Sequence, residues 1–264
     1  MSVNEHLKQL ASDLVLSDTE KSSISTSITT LSTRLNAYFN NNLITHFQFG
    51  SSTRDTILPR KADKNSDIDY MIVFDTSYES QKKPQTYLDR LKRFAEEKYS
   101  RSEIFQSSPT IVLSLNHIKF ELVPAIKNYG DQYQIPSPAS SFTEWISTDP
   151  TKSNQALQDK NKSENYQIKP LVRLVKYWNT TQDYPFSSFE LEQGILSKYF
   201  YSCTSIKDYF YSFWSGFSCN YATAQYIKEK VERAKKYAEK AKEYEDNNMP
   251  ACAEAEIKKI VPTI

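Results

Sequence analysis

The sequence predicts an α+β fold, with strands and helices segregated along the chain, and three observations carry that expectation. Short runs rich in β-branched and aromatic residues (Phe47–Phe49, Ile68–Phe74, Thr110–Leu115 and Ile118–Val123) fall in the first half of the 264 residues. Apolar residues at helical spacing dominate from Pro170 onward. Between them, Gln134–Asn165 is rich in Pro, Ser, Thr and Asn and reads as a boundary, with Pro136, Pro138 and Pro150 breaking any long helix. The expected organisation is a mixed sheet with N-terminal helices over residues 1–135 and a helical part over 136–264.

Each element has a local cause. Val3, Leu7, Leu10 and Leu14 recur at helical spacing, and Ser17-Asp18-Thr19-Glu20 reads as a capping box opening a second helix. That helix buries Ile24, Ile28, Leu31, Leu35 and Tyr38; the Ser and Thr residues between them are weak helix formers, so packing must hold it. Asn40–Asn42 ends it, and Pro59–Ser66, with Arg60, Lys61 and Lys64, reads as a polar loop between the first two strands. Pro84 opens a helix carrying Tyr87, Leu88, Leu91, Phe94 and Ala95, and Asn116-His117 joins two strands as a two-residue turn. In the second half, Pro170 starts a helix whose buried stripe is Leu171, Leu174, Val175 and Trp178, with Lys176 off the stripe. Pro185–Ile195 reads as a turn and then a helix capped by Ser187 or Ser188. Leu196–Phe217, with Tyr199, Tyr201, Tyr209, Phe213 and Trp214, reads as aromatic core, and Tyr226–Tyr244 as a charged helix facing inward through Val231, Ala234, Ala238 and Ala241.

Composition excludes several classes. A hydrophobic share of 39% and a charged share of 25% are ordinary for a soluble globular chain, although 18 Tyr and 14 Phe carry much of the apolar content. No run reaches a membrane span and Met1–Gln9 lacks a signal peptide's apolar core, so a cytoplasmic protein with no membrane association is expected. Cys203, Cys219 and Cys252 have no metal-ligand spacing and are expected as reduced thiols. A net charge of +1 argues against strong binding to nucleic acid. His6, His46 and His117 are isolated and expected to be structural or exposed.

The informative stretch is Phe47–Phe74. Its first strand runs into Gly50-Ser51-Ser52, a tight turn of the kind that brings backbone N–H groups and a hydroxyl close to phosphate oxygens. Only 4 Gly occur in the chain, so one at a strand exit carries weight. On the second strand, Asp67 and Asp69 share a face by alternation, and two such carboxylates form either a hard-cation site or a solvent-facing acidic pair. Glu121 interrupts the apolar run FELVPAI. If its strand pairs beside that of Asp67 and Asp69, three carboxylates converge; otherwise Glu121 belongs to a surface ion pair.

The segments GSSTRDT and SDIDYMIVF resemble the signature of the DNA polymerase β-type nucleotidyltransferases, within the branch of oligoadenylate synthases and cyclic GMP-AMP synthase/DncV-like enzymes. PLVRLVKYWN and PFSSFELEQGI are similar to the helical half of the same enzymes. The resemblance implies a bilobal fold with a central cleft, built from a nucleotidyltransferase core and a helical C-terminal domain. It implies Asp67, Asp69 and Glu121 as catalytic residues and ligands of two Mg²⁺ or Mn²⁺ ions, with Glu121 where the family more often has Asp. Gly50, Ser51, Lys176 and Ser188 would bind triphosphate, and Phe189 would stack on the donor base where Tyr is commoner. Spacing alone reads Lys176 as a surface lysine and Phe189 as core.

The activity so implied makes cyclic or short linear oligonucleotide second messengers from nucleoside triphosphates, ATP among them, with release of pyrophosphate, in anti-phage (CBASS-type) signalling. A monomer is expected, and the resemblance leaves room for a regulatory protein partner or activator that the sequence does not identify. Two other functions remain open at this level: a terminal nucleotidyltransferase acting on RNA or protein, and an idle nucleotide sensor. Asp55 speaks for the sensor, because related sequences usually carry Gly there and an acid beside a triphosphate is unfavourable.

Overall fold

Two strands, β2 (Asp67–Phe74) and β5 (Lys119–Lys127), run parallel in register from Asp67↔Lys119 to Phe74↔Ile126. Parallel neighbours cannot be joined by a tight turn. The crossover here consists of α3 (Pro84–Lys98) and the antiparallel pair β3 (Glu103–Ser107) and β4 (Thr110–Ser114). With β1 (Leu43–Phe49) antiparallel to β2, the sheet order is β1-β2-β5-β4-β3, a mixed sheet. The hydrogen bond from Leu115 N–H to the Ile118 carbonyl, 2.9 Å, closes the expected turn at Asn116-His117.

The computed structural model describes residues 2–77, 81–107, 109–128, 132–138 and 144–264. The chain divides into a sheet unit, Ser17–Arg60 with Asn65–Asn154, and a helical unit, Met1–Leu16 with Lys61–Lys64 and Gln155–Ile264.

In the sheet unit, alternation along β2 sends Ile68, Tyr70, Ile72 and Phe74 to one face, all buried. Helices cover that face. One is α2 (Asp18–Phe39), held at its start by reciprocal bonds between Ser17 and Glu20. Phe39 meets Phe74 edge-on at 5.3 Å, and Tyr38 meets Phe94 of α3 at the same distance. Each buried ring is worth about 1.5–3 kcal/mol. Pro84, at the first position of α3, gives up an N–H that the helix would not have used. On the other face, Met71, Val73 and Ala125 pack with Phe47, Phe49, Tyr133 and Ile135.

The stretch expected as a loop boundary contains regular structure. β6 (Tyr133–Pro136) pairs with the end of β5, β7 (Trp145–Thr148) pairs with β6, and α4 (Pro150–Ser163) follows. The prolines punctuate these elements rather than excluding them: Pro136 closes β6, and Pro150 opens α4 behind Asp149, whose carboxylate accepts from Lys152 N–H at 2.9 Å. Residues 139–143 of that stretch lie outside the described residues.

The helical unit contains α1 (Val3–Asp13), α5 (Ile168–Thr181), α6 (Ser188–Leu196), α7 (Ile206–Gly216), α8 (Gln225–Asp246) and α9 (Pro250–Ile260). Its limits differ from the expected boundary at 135/136. The apolar stripe of α1 packs on α5, α7 and α9, so the first helix groups with the helical unit, while β6 and β7 stay with the sheet. His6 Nε2 lies 3.0 Å from the Val261 carbonyl, and Arg173 Nε donates to the Ala11 carbonyl at 3.2 Å. Trp178 and Trp214 form the centre, 4.7 Å apart and edge-on. Tyr199 and Tyr201, expected in the aromatic core, are 73% and 82% exposed, because they precede the helical register that starts at Ile206. Among the described residues no helix is long and apolar enough to cross a membrane.

Candidate active site

The turn after β1 is organised by one carbonyl. Ser51 C=O accepts from the backbone N–H groups of Arg54, Thr56 and Ile57 at 3.3, 3.1 and 3.2 Å. Ser52 and Thr53 donate their hydroxyls to the Phe49 and Gly50 carbonyls, within the turn. The Ser51 hydroxyl takes no part in these bonds. Gly50 has φ +74, a left-handed conformation, and a methyl group there would lie 2.7 Å from Cγ and 3.0 Å from Cβ of Asp69. Only glycine meets both conditions. Asp55 also has positive φ, +58, and is exposed. The backbone accounts for Asp55: the position needs a left-handed conformation, which Gly adopts freely and Asp tolerates better than most.

The register places the three acids together. Asp69 pairs with Glu121 across the parallel β2/β5 boundary and Phe49 pairs with Asp69 across β1/β2, so the turn, Asp69 and Glu121 stand side by side. Asp67 lies two residues before Asp69 on the same face, and all three carboxylates are half-buried. Their mutual repulsion is visible at Glu121. Burial, the charges of Asp67 and Asp69, and a hydrogen bond with Asp67 push its pKa up to about 7, against the opposing effect of Lys119. Lys119 was missed in the sequence, although its spacing of two from Glu121 puts it on the acid face; its Nζ lies 3.4 Å from Asn65 Oδ1.

Among the described residues, no three His, Cys, Asp or Glu side chains are drawn into a ready-made metal cage. The acidic group nonetheless suits a hard divalent cation. Its donors are carboxylate oxygens that repel one another, and Mg²⁺ is usually held by one or two carboxylates plus substrate phosphates rather than by a closed protein cage.

In the helical unit, both readings made from spacing alone are reversed. Lys176 is 6% exposed, within an α5 that is buried almost all round from Leu171 to Asn179. Phe189, in the first turn of α6, is 57% exposed, beside an exposed Ser188. Ser187 is the cap, accepting from Glu190 N–H at 3.1 Å, which leaves Ser188 outside the capping bond. The other two histidines have structural partners: His46 lies 2.9 Å from both the Tyr70 hydroxyl and Asn36 Oδ1, and His117 lies 2.9 Å from the Ser27 hydroxyl. The three cysteines are free thiols.

A mixed sheet whose edge strand ends in a Gly-Ser turn, with acids on the next two strands, is the nucleotidyltransferase core that the motifs resemble. Residues 1–161 match the Second Messenger Oligonucleotide or Dinucleotide Synthetase domain, and the chain belongs to that family. A probable cyclic nucleotide synthase of Bacillus cereus (strain VD146) is 32% identical over 104 residues, covering 37% of this chain and 31% of that protein. The match therefore spans about a third of the relative's length. The fold is shared along the whole chain with CdnC of E. coli MS115-1, solved with ATP (TM-score 0.71, 14% identity, 100% of this chain and 98% of that one). It is also shared with the di-nucleotide cyclase DncV of Vibrio cholerae, solved with GTP and 5MTHFGLU2 (TM-score 0.74, 12% identity, 96% and 92%).

Proposed function

We propose that this protein is a metal-dependent nucleotidyltransferase that joins nucleoside triphosphates into cyclic or short linear oligonucleotide second messengers, releasing pyrophosphate. The observation that carries the reading is the juxtaposition of the Gly50 turn with Asp69 and Glu121 on adjacent strands. The turn provides a phosphate-binding backbone at the place where the carboxylates can hold cations.

The chemistry follows from positioning and charge. The turn at Gly50 and Ser51 holds the outer phosphates of the donor, with Lys176 and Ser188 as further triphosphate ligands and Phe189 as the donor-base platform. Asp67, Asp69 and Glu121 would hold two divalent ions, which when bound neutralise triphosphate charge and activate the acceptor ribose hydroxyl. The ribose hydroxyl gives up its proton to water, a bond forms between that oxygen and the α-phosphorus, the bond from the α-phosphorus to the bridging oxygen breaks, and pyrophosphate leaves with the electron pair. ATP is among the substrates expected, and the setting is anti-phage (CBASS-type) signalling. Asp55, the residue that favoured an idle sensor, is exposed on a left-handed turn position, which accounts for it without invoking lost activity.

Incubation with each labelled nucleoside triphosphate and Mg²⁺ or Mn²⁺ tests the reading. Pyrophosphate release with phosphatase-resistant products is the expected result. Labelling that depends on added RNA or protein would instead establish a terminal transferase, and absence of turnover with every triphosphate and both ions would overturn the synthase reading.

A further inference from the structure

The aim of the turn after β1 depends on one peptide group. A trans peptide is rigid and planar, so the direction of the Gly50 carbonyl fixes the opposite direction of the Ser51 N–H. That N–H is among the groups through which such a turn meets phosphate oxygens. Glycine at φ +74 has no side chain to hold this peptide, so its orientation has to be imposed from outside.

A chain of three side chains imposes it, and donor chemistry sets the direction of that chain. Arg54 is only 8% exposed, and a buried cation needs acceptors; its Nη1 lies 3.4 Å from Oδ1 of Asn154. A guanidinium only donates, so the oxygen end of the Asn154 amide faces Arg54 and the nitrogen end is left for Thr53. Asn154 Nδ2 donates to Thr53 Oγ1 at 3.3 Å. With that oxygen accepting from the amide, the one proton of the Thr53 hydroxyl goes to the Gly50 carbonyl, 3.0 Å away. Donation therefore runs one way, from Arg54 through Asn154 and Thr53 to the carbonyl that shares a peptide with Ser51 N–H.

Asn154 reaches the turn from 100 residues beyond Arg54 in the chain. It lies near the start of α4, where Pro150 opens the helix and the Asp149 carboxylate accepts from Lys152 N–H at 2.9 Å. Asn154 groups with the sheet unit, whereas Gln155 onward groups with the helical unit, so it belongs to the same unit as the turn it holds.

We infer that Asn154 is a positioning residue for triphosphate binding: acting through Thr53, it holds the Gly50–Ser51 peptide with the N–H directed at the phosphates. The inference rests on the phosphate-binding role proposed above for the turn.

The test measures affinity for the tightest-binding of the four α,β-methylene nucleoside triphosphates with Mg²⁺, by titration calorimetry, with the melting temperature followed in parallel. Asn154→Asp keeps the shape and the acceptor for Arg54 but has no proton to donate, so the Thr53 hydroxyl turns to the new carboxylate and releases the Gly50 carbonyl. Its Kd should rise about tenfold at an unchanged melting temperature, as expected for one hydrogen bond lost from the turn. Thr53→Val, which removes the hydroxyl without adding charge, should give the same rise, and Thr53→Ser should bind as the wild type does. The double variant should bind no more weakly than either single one, because both break the same chain. An unchanged Kd in Asn154→Asp or Thr53→Val, additive losses in the double variant, or losses that track a fall in melting temperature overturn the inference. Absence of pyrophosphate release by a wild type that binds the analogues overturns the synthase reading alone, and a wild type that binds none of them overturns both.

Discussion

The carboxylate of Asp69 occupies the space that a side chain at position 50 would need: a β-carbon on Gly50 would sit 2.7 Å from Asp69 Cγ. Turn and acid are thus fitted to each other, and Gly50→Ala tests the fit. The added methyl must push Asp69 aside while residue 50 also carries the left-handed strain of φ +74, about 1–2 kcal/mol. Displacing a catalytic group by about 1 Å costs about 100-fold in rate. We expect Gly50→Ala to lose at least that much turnover while its melting temperature falls by only a few degrees, measured by pyrophosphate release and by calorimetry.

The acids should show opposite effects on activity and stability. Glu121 is a carboxylate held near a pKa of about 7 by burial and by Asp67 and Asp69, so its ionised form is unfavourable in the folded state. Glu121→Gln removes that repulsion. In EDTA at pH 8 it should raise unfolding free energy by about 1–3 kcal/mol, and with Mg²⁺ present it should abolish turnover. Asp69→Asn should likewise end pyrophosphate release with folding intact. In the wild type, Mg²⁺ with a non-hydrolysable triphosphate should raise the melting temperature, and the same additions should leave Asp69→Asn unmoved. A melting temperature that rises equally in Asp69→Asn would remove Asp69 from the proposed metal set.

These acids also show how much was legible beforehand. Alternation along one strand is enough to put Asp67 and Asp69 on a common face, and local rules suffice for the Ser17–Glu20 cap. The pairing of Asp69 with Glu121 joins residues far apart in sequence through a parallel crossover, which no local pattern encodes. Lys119 shares the face of Glu121 by alternation alone, but its place beside Asp67 exists only once the strand register is known. Lys176 and Phe189 show a different limit. Helical spacing gives the faces of α5 and α6 but says nothing of what covers each face, so the buried lysine and the exposed ring inverted expectation.

Asp55 offers a control substitution on the same turn. If its conformation alone explains the position, Asp55→Gly should keep wild-type turnover and stability within about 1 kcal/mol. Asp55→Val, branched at Cβ and forced to φ near +58, should destabilise by about 1–2 kcal/mol in urea unfolding without altering KM for the triphosphates. A large rise in turnover for Asp55→Gly would instead mean that the carboxylate repels substrate.

The clasp between α8 and α9 predicts a pH dependence in the helical unit. Glu256, only 7% exposed at its side chain, accepts from Lys259 at 2.8 Å and pairs with Lys240 at 3.3 Å. Burial pushes its pKa up, but the hydrogen bonds and charges of Lys259 and Lys240 outweigh burial and leave it below the ordinary glutamate value. A carboxyl group whose pKa is lower folded than unfolded binds more protons in the unfolded state, so its stabilisation is complete above the unfolded pKa and is lost as pH falls through the folded one. With an unfolded value of about 4.3, that loss begins near pH 5 and continues below pH 4. Glu256→Gln should therefore melt about 3 °C below the wild type at pH 7, with the gap closing as the pH is lowered through this window. A gap of constant size from pH 7 to pH 3.5 would assign the effect of Glu256 to packing and not to its charge.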